Sequence, residues 1–200
     1  MTNFSASELD QLRAEIAAAA ARMIAEDGSD YSTAKRKAAK QILGNARVRG
    51  DILPDNAQIE DEVRLYNELF LSDTQPGRLL HLRKLALQLM QELAPFQPHL
   101  TGAILNGTAG EHSDIHLHLF VDSPKDVEIF LLNKNVPFEV SESPHDSGRA
   151  EQLEILSFMW RKEGVHLTLF QVDDLRRPAR IERAPAAAVE QLIEESESAT

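Results

Sequence analysis

LNGTAGEHSDIHLHLF, residues 105–120, is the stretch of sequence that decides the fold. The apolar run 100–105 leads into it and stops before Gly107, which predicts a short strand followed by a glycine turn. Residues 115–121 alternate between apolar and polar side chains, which predicts a second strand with one buried face. Asp114 stands at the entry to this second strand. The sequence therefore predicts a strand, a glycine turn and a second strand that opens with a carboxylate.

Further strands follow towards the C-terminus. Ser123 and Pro124 begin a helix that ends near Asn133, because serine caps helix N-termini and proline suits their first turn. Residues 161–164 include a glycine and predict a hairpin turn, whereas residues 141–150 are polar and predict a loop. Strands are predicted at 136–140, 153–160 and 165–172.

Helices precede the strands. Apolar residues recur there at helical spacing, and capping serines or aspartates and terminal glycines mark the ends of the pattern. The last of these helices is apolar on most of its surface, which indicates burial on more than one side. The predicted helices span 5–26, 31–43, 57–71 and 76–95, and a short C-terminal helix spans 185–195.

The resulting plan is an α+β fold, in which N-terminal helices are followed by a mixed five-stranded sheet with flanking helices. A chain of 200 residues can bury a substantial core. Three parts are predicted: a helical extension at 1–74, an α/β domain at 75–175, and a tail with a short helix at 176–200. We expect the last residues of the tail to fray.

The strand, the glycine turn and the acid resemble the DNA polymerase beta-like nucleotidyltransferase superfamily. Its members have a Gly-Ser or Gly-Gly turn, a spacer, and Asp-x-Asp or Asp-x-Glu on the next strand, with a third acid on a later strand. The resemblance covers about residues 75–172. Three phrases also resemble a group of proteobacterial proteins of about this length that are described as nucleotidyltransferase-like: AEDGSDYSTAKRKAAKQ (25–41), LNGTAGEHSDIHLHLF and SPKDVEIFLLNKNVPFEV (123–140).

The resemblance implies where a nucleotide would bind. Gly107 and Thr108 match the turn of the superfamily, and with Ser113 they are the expected nucleotide-binding residues. A glycine turn suits this role because its backbone amides can approach phosphate oxygens without a Cβ atom in the way.

The resemblance also implies the catalytic positions. In the superfamily the acids bind two divalent ions that bridge a triphosphate and an attacking hydroxyl group. Asp114 matches the first acid, His116 stands at the second position, and His166 or Thr168 stands at the third. If the protein is active, Asp114, His116 and His166 are its expected catalytic residues. One carboxylate with imidazoles holds Mg²⁺ poorly, which indicates a catalytically degenerate site.

A histidine-based metal site is an alternative. Asp114, His116 and His118 lie on one face of the predicted strand, and such a set suits Zn²⁺, Fe²⁺ or Mn²⁺. A divalent metal, either Mg²⁺ or a transition metal, is therefore a candidate cofactor. The competing interpretation is a half-exposed strand face on which water and neighbouring residues satisfy the histidines.

Charge and composition restrict the binding partners and the cellular compartment that we expect for the protein. The net charge of −11 opposes general affinity for nucleic acid. Without cysteine the chain can form neither disulfides nor thiolate zinc sites. It has no secretory start and no run of roughly 18 apolar residues, so we expect a cytoplasmic protein without membrane contact. A basic island at 35–49 is either a solvated helix face or a phosphate or RNA contact; it comprises Lys35, Arg36, Lys37, Lys40, Arg47 and Arg49.

Three functions compete. The sequence favours a nucleotidyltransferase-fold protein that is catalytically degenerate and acts as a nucleotide- or phosphate-binding or regulatory module. The second is an active nucleotidyltransferase with atypical Asp/His metal ligation. The third is an interaction protein without a ligand, in which the helices of residues 5–72 form a homodimer interface.

Overall fold

The structure, a computed structural model, describes residues 5–44, 52–145, 152–179 and 181–198. The chain divides into two compact units. The first comprises Met1–Arg78 with Thr108–His112, and the second comprises Leu79–Gly107 with Ser113–Thr200. Residues 176–200, predicted as a tail, belong to the second unit. Within the described ranges, no helix has the length and apolar character needed to cross a membrane.

The first unit is built from helices α1 (Ala6–Asp27), α2 (Tyr31–Leu43) and α3 (Asn56–Phe70). Ser5 and Glu8 form the predicted capping box of α1, and Gly28 ends it in the left-handed conformation. Small side chains dominate the core of the unit, which allows close approach of the helices. The buried core residues are Ile16, Ala17, Ala20, Ala21, Ala34, Ala38, Ala39, Ile52, Ile59 and Val63.

The second unit contains a sheet with its helices, and α4 (Gln75–Glu92) leads into it. Its strands are β1 (His99–Thr101), β2 (Ile115–Val121), β3 (Glu139–Pro144), β4 (Gln152–Trp160), β5 (Glu163–Gln171) and β6 (Arg183–Pro185). Its further helices are α5 (Ala103–Asn106), α6 (Pro124–Asn133) and α7 (Ala186–Ser198).

The sheet has the order β3-β4-β5-β2-β1-β6, with β2 and β5 parallel and the other neighbours antiparallel. The predicted α+β class with a mixed sheet is confirmed, but the prediction of five strands is wrong because β6 is a sixth. This strand is three residues long and ends in Pro185, so it carries little strand signal. Proline is tolerated there because β6 lies at the edge of the sheet.

Two predicted strands have different bounds in the structure. The strand expected at 100–105 ends at Thr101, because Gly102 takes a φ of 75° and α5 begins directly after it. The strand expected at 136–140 begins at Glu139 and continues to Pro144. Residues 141–144 were predicted to belong to a loop, of which residues 146–150 lie outside the described part of the chain.

The two faces of the sheet differ in character. Residues Ile115, Leu117 and Leu119 of β2 are fully buried, and so are their β5 partners Val165 and Leu167. The opposite face carries the alternate residues, which include most of the polar side chains of the central strands. That polar face holds the candidate site.

Candidate functional site

Asp114 and His166 form the centre of the candidate site. Asp114 precedes β2 by one residue, and the parallel pairing of β2 with β5, in which His116 is opposite His166, places Asp114 two residues before the level of His166. The Nε2 atom of His166 lies 3.1 Å from Oδ2 of Asp114. The side chains are 31% and 46% exposed, respectively, so both remain accessible to solvent. Two of the three sequence-predicted catalytic residues are therefore in direct contact.

His116 joins this pair. It is the register partner of His166 in β5, and the two rings stack with centroids 4.8 Å apart and planes inclined by 21°. Desolvation by surrounding protein atoms lowers the pKa of His116, although the residue keeps an exposed surface. Charge repulsion from His166 lowers that pKa further, whereas the Asp114 carboxylate raises it. The ring of His116 is therefore biased towards its neutral form.

Ser157 completes the arrangement, and it was not predicted from the sequence. It is the register partner of His166 on β4, and its Oγ atom lies 2.8 Å from Nδ1 of His166. The pairing follows from a hairpin turn of two residues, Arg161 and Lys162, both with positive φ. Counting outward from that turn would have placed Ser157 opposite His166, whereas the predicted turn of 161–164 places it elsewhere.

Gly164 makes room for the carboxylate. It was predicted as a turn residue, but it lies in β5, where an added Cβ atom would be 2.7 Å from Cγ of Asp114. Any side chain at this position would push the Asp114 carboxylate away. The glycine thus permits the contact between Asp114 and His166 rather than forming the turn.

His118 lies apart from this cluster. Its ring packs against Phe170 at a centroid distance of 4.6 Å, and only 7% of the residue is exposed. Among the described residues, no group of three histidine, aspartate or glutamate side chains is arranged to hold a metal ion. The donors present, one carboxylate bound to an imidazole and a second imidazole, do not fit the two-magnesium centre that the resemblance implies, since Mg²⁺ prefers oxygen ligands.

The predicted nucleotide-binding residues occupy different surroundings. Gly107 ends α5 with a φ of 87° and belongs to the second unit. Thr108 is buried in the first unit, where its carbonyl oxygen accepts a hydrogen bond from Asn67. Ser113 is half-buried next to Asp114. The glycine that directly follows β1 is Gly102, which the sequence prediction did not assign to the turn.

Arg83 stabilises the segment before Gly107. Its buried guanidinium group donates hydrogen bonds to the carbonyl oxygens of Ile104 and Leu105, at 3.1 and 3.3 Å, and to Oγ of Ser196 at 3.2 Å. Desolvation lowers the pKa of Arg83, with Glu195 opposing the change. The buried guanidinium group of Arg83 therefore supplies hydrogen-bond donors and a positive charge to the backbone carbonyl groups at the end of α5.

The first unit contains a cleft that includes part of the basic island. Its volume is about 430 Å³, and Lys35 and Arg36 line it together with Tyr31, Asn56 and neighbouring residues. Lys35 donates a hydrogen bond to Oδ1 of Asn56 at 3.2 Å. The other end of the island, residues 45–49, lies outside the described residues.

Comparisons with known proteins assign no family. No protein-family model matches the chain, and no curated protein is significantly similar to it.

Proposed function

We propose that the second unit is a nucleotidyltransferase-like domain that is catalytically degenerate and binds a nucleotide or phosphate group at Asp114, His116 and His166. The observation that carries this proposal is the juxtaposition of these three residues across β2 and β5. In the superfamily that the sequence resembles, the same three positions carry the metal-binding acids. Two of the three are imidazoles here, which favours binding without the metal-dependent transfer step.

His116 is the side chain most available to a ligand. It is exposed, and no residue in the described ranges forms a hydrogen bond with its ring. An imidazole can donate to a phosphate oxygen or stack against a base. The neighbouring His166 is held by Asp114 and Ser157, so its ring orientation is fixed before a ligand arrives.

Titration calorimetry with ATP, GTP, CTP and UTP tests the proposal. We expect binding of at least one nucleotide, with the same affinity in Mg²⁺ and in a chelator, because the donors at the site do not fit magnesium. His116→Ala should weaken this binding about tenfold or more, as the loss of one charge-assisted contact predicts. His81→Ala, a change of another exposed histidine, is the matched control. Absence of heat with all four nucleotides would refute the proposal, and strict dependence on Mg²⁺ would instead support an active transferase with atypical ligation.

A homodimer formed by the N-terminal helices is the second candidate. One observation favours it: α3 exposes Leu65, Leu69 and Phe70, which are 47%, 63% and 67% exposed. Large apolar side chains that cluster on one helix are typical of an interaction surface. Light scattering over a concentration series tests the idea, with Leu69→Glu expected to dissociate the dimer. A monomer at every concentration would exclude it.

A further inference from the structure

The imidazole of His166 bridges a hydroxyl group and a carboxylate. Ser157 Oγ lies 2.8 Å from its Nδ1 atom, and Asp114 Oδ2 lies 3.1 Å from its Nε2 atom. The three side chains come from β4, β5 and the residue before β2, so three adjacent strands of the sheet fix their spacing. We call these three residues the relay.

The chemistry of the three groups sets the direction of both hydrogen bonds. An ionised carboxylate only accepts, so Nε2 of His166 carries the proton and donates to Asp114. In neutral imidazole the other nitrogen then has a lone pair, and Nδ1 accepts the hydroxyl proton of Ser157. The relay therefore draws the proton of Ser157 towards a base that a third group orients, which is the arrangement that activates serine nucleophiles.

We propose that Ser157 is a nucleophile, that His166 is its general base and that Asp114 is the positioning residue, with a neutral carboxylic ester as the electrophile. This activity goes beyond nucleotide binding and does not require it. The roles of the two ring nitrogens are exchanged relative to the serine protease triad, in which the serine contacts Nε2. Either nitrogen can take the proton, because the required elements are a lone pair towards the hydroxyl group and a proton towards the carboxylate.

The reaction proceeds in two balanced steps. Ser157 Oγ bonds to the carbonyl carbon of the ester while its proton moves to Nδ1 of His166. The bond from that carbon to the alkoxy oxygen breaks, and the departing oxygen takes the proton from Nδ1, which leaves an acyl group on Ser157. A water molecule then attacks the acyl group with the same proton transfers, and it releases a carboxylic acid and free Ser157.

The charge of the relay favours an ester over a phosphate as the electrophile. Transfer of a phosphoryl group requires cations around its oxygens, because negative charge is spread over them in the transition state. The relay supplies a carboxylate and an imidazole, whose charges at most cancel. A carbonyl electrophile carries no net charge and develops a single oxyanion, so its reaction does not require a cluster of cations.

A biotin-tagged fluorophosphonate applied to the full chain, without nucleotide, tests the proposal. We expect the probe to attach covalently to Ser157, as located by peptide mass spectrometry on the wild-type protein. Ser157→Ala should abolish this labelling, and His166→Gln should slow it about 100-fold. Ser141→Ala, a change of an exposed serine on β3, should leave it unchanged. A wild-type protein that is labelled at other serines but not at Ser157 would overturn the proposal, whether or not the variants fold.

The role of Asp114 has its own readout. Asp114→Asn should slow labelling about tenfold or more, because an amide no longer fixes the tautomer of His166. It should also remove a downfield N–H resonance of the His166 ring from the proton spectrum, which a merely structural role in stability would not require. An unchanged labelling rate in this variant would remove Asp114 from the relay. Labelling is measured without nucleotide and nucleotide binding is measured without the probe, so failure of this inference and failure of the proposed function are distinguishable.

Discussion

The carboxyl group of Asp114 occupies the space where a side chain of residue 164 would lie, since a Cβ atom on Gly164 would be 2.7 Å from Cγ of Asp114. The carboxylate can reach Nε2 of His166 only because this residue has no side chain. The backbone of Gly164 itself needs no unusual conformation, since its φ is not positive. The glycine is therefore required for space at the site rather than for a turn.

Gly164→Ala should displace the carboxylate of Asp114 and cost about 1 kcal/mol in the free energy of unfolding, since a partly exposed charge-assisted hydrogen bond is lost. Urea denaturation measures the cost. A double-mutant cycle provides the control: in the Asp114→Ala background, Gly164→Ala should cost almost nothing. An equal loss of free energy of unfolding in both backgrounds would show that Gly164→Ala disturbs strand β5 itself and not the Asp114 carboxylate.

The pKa of His116 should respond to its two neighbours in opposite directions. In the wild-type protein it lies below the ordinary value of 6.5, because desolvation and His166 lower it more than Asp114 raises it. Asp114→Asn should lower it further, and His166→Gln should raise it. The pH dependence of the His116 Cε1–H resonance reports both changes. A rise in Asp114→Asn would contradict the electrostatic account.

Acidification should weaken the second unit. Desolvation is the main cause of the lowered pKa values of both His116 and His99; Arg183 also lowers that of His99, and a hydrogen bond to Gln97 raises it. Because the pKa values of His99 and His116 in the folded protein lie below the unfolded value of 6.5, the unfolded chain binds more protons than the folded one around this pH. The free energy of unfolding therefore decreases as the pH falls from 6.5 through the pKa values of the folded protein. Urea midpoints at about pH 7 and about pH 5 measure the loss. The double variant His99→Gln, His116→Gln should show a smaller difference, and an unchanged difference would assign it to other groups.

Removal of Arg83 should destabilise the second unit strongly. Arg83→Met leaves the carbonyl groups of Ile104 and Leu105 without their buried donor, which should cost about 2–3 kcal/mol. Lys84→Ala is the matched control, because Lys84 is half exposed and its ion pair with Glu197 should contribute less than about 1 kcal/mol. Chemical denaturation of the two variants checks the contrast. Similar losses in both would show that burial of Arg83 is not the decisive factor.

The cleft of the first unit should bind anions. Lys35 and Arg36 line it, so the double change Lys35→Ala, Arg36→Ala should weaken binding of a short RNA in an electrophoretic shift at low salt. Added salt should weaken the wild-type complex in the same way, because phosphate contacts release counterions. Lys125→Ala on α6 serves as the control. Equal mobility of RNA with the wild-type protein and with the double variant would show that Lys35 and Arg36 contact solvent and not RNA.

The elements that the sequence predicted well are those with a clear period. Strand β2 alternates between apolar and polar residues from Ile115 to Leu119, and α2 begins and ends next to its cap residues, so both have the predicted bounds. Asp114, His116 and His166 lie together across β2 and β5. The sequence does not, however, identify β5 as the parallel neighbour of β2, because nothing in the local pattern of β5 determines which strand it pairs with.

What the sequence did not predict depends on register and on single backbone angles. The predicted hairpin turn of 161–164 includes Gly164, which shifts every pair of β4 and β5 and so does not place Ser157 opposite His166. The end of β1 was missed because the left-handed φ of Gly102 has no signature in an apolar run. Strand β6 exists only through its partner β1, so its three residues show no pattern of their own.

The pairing of β1 with β6 has a consequence for synthesis. Leu100 pairs with Ala184, which the ribosome adds 84 residues later. At about 5–20 residues per second, the outer edge of β1 lacks its partner for several seconds of translation. An unpaired strand edge is a template for pairing with another chain, so nascent copies are most prone to association during this interval. The edge of β1 is therefore most open to such association before β6 has been made.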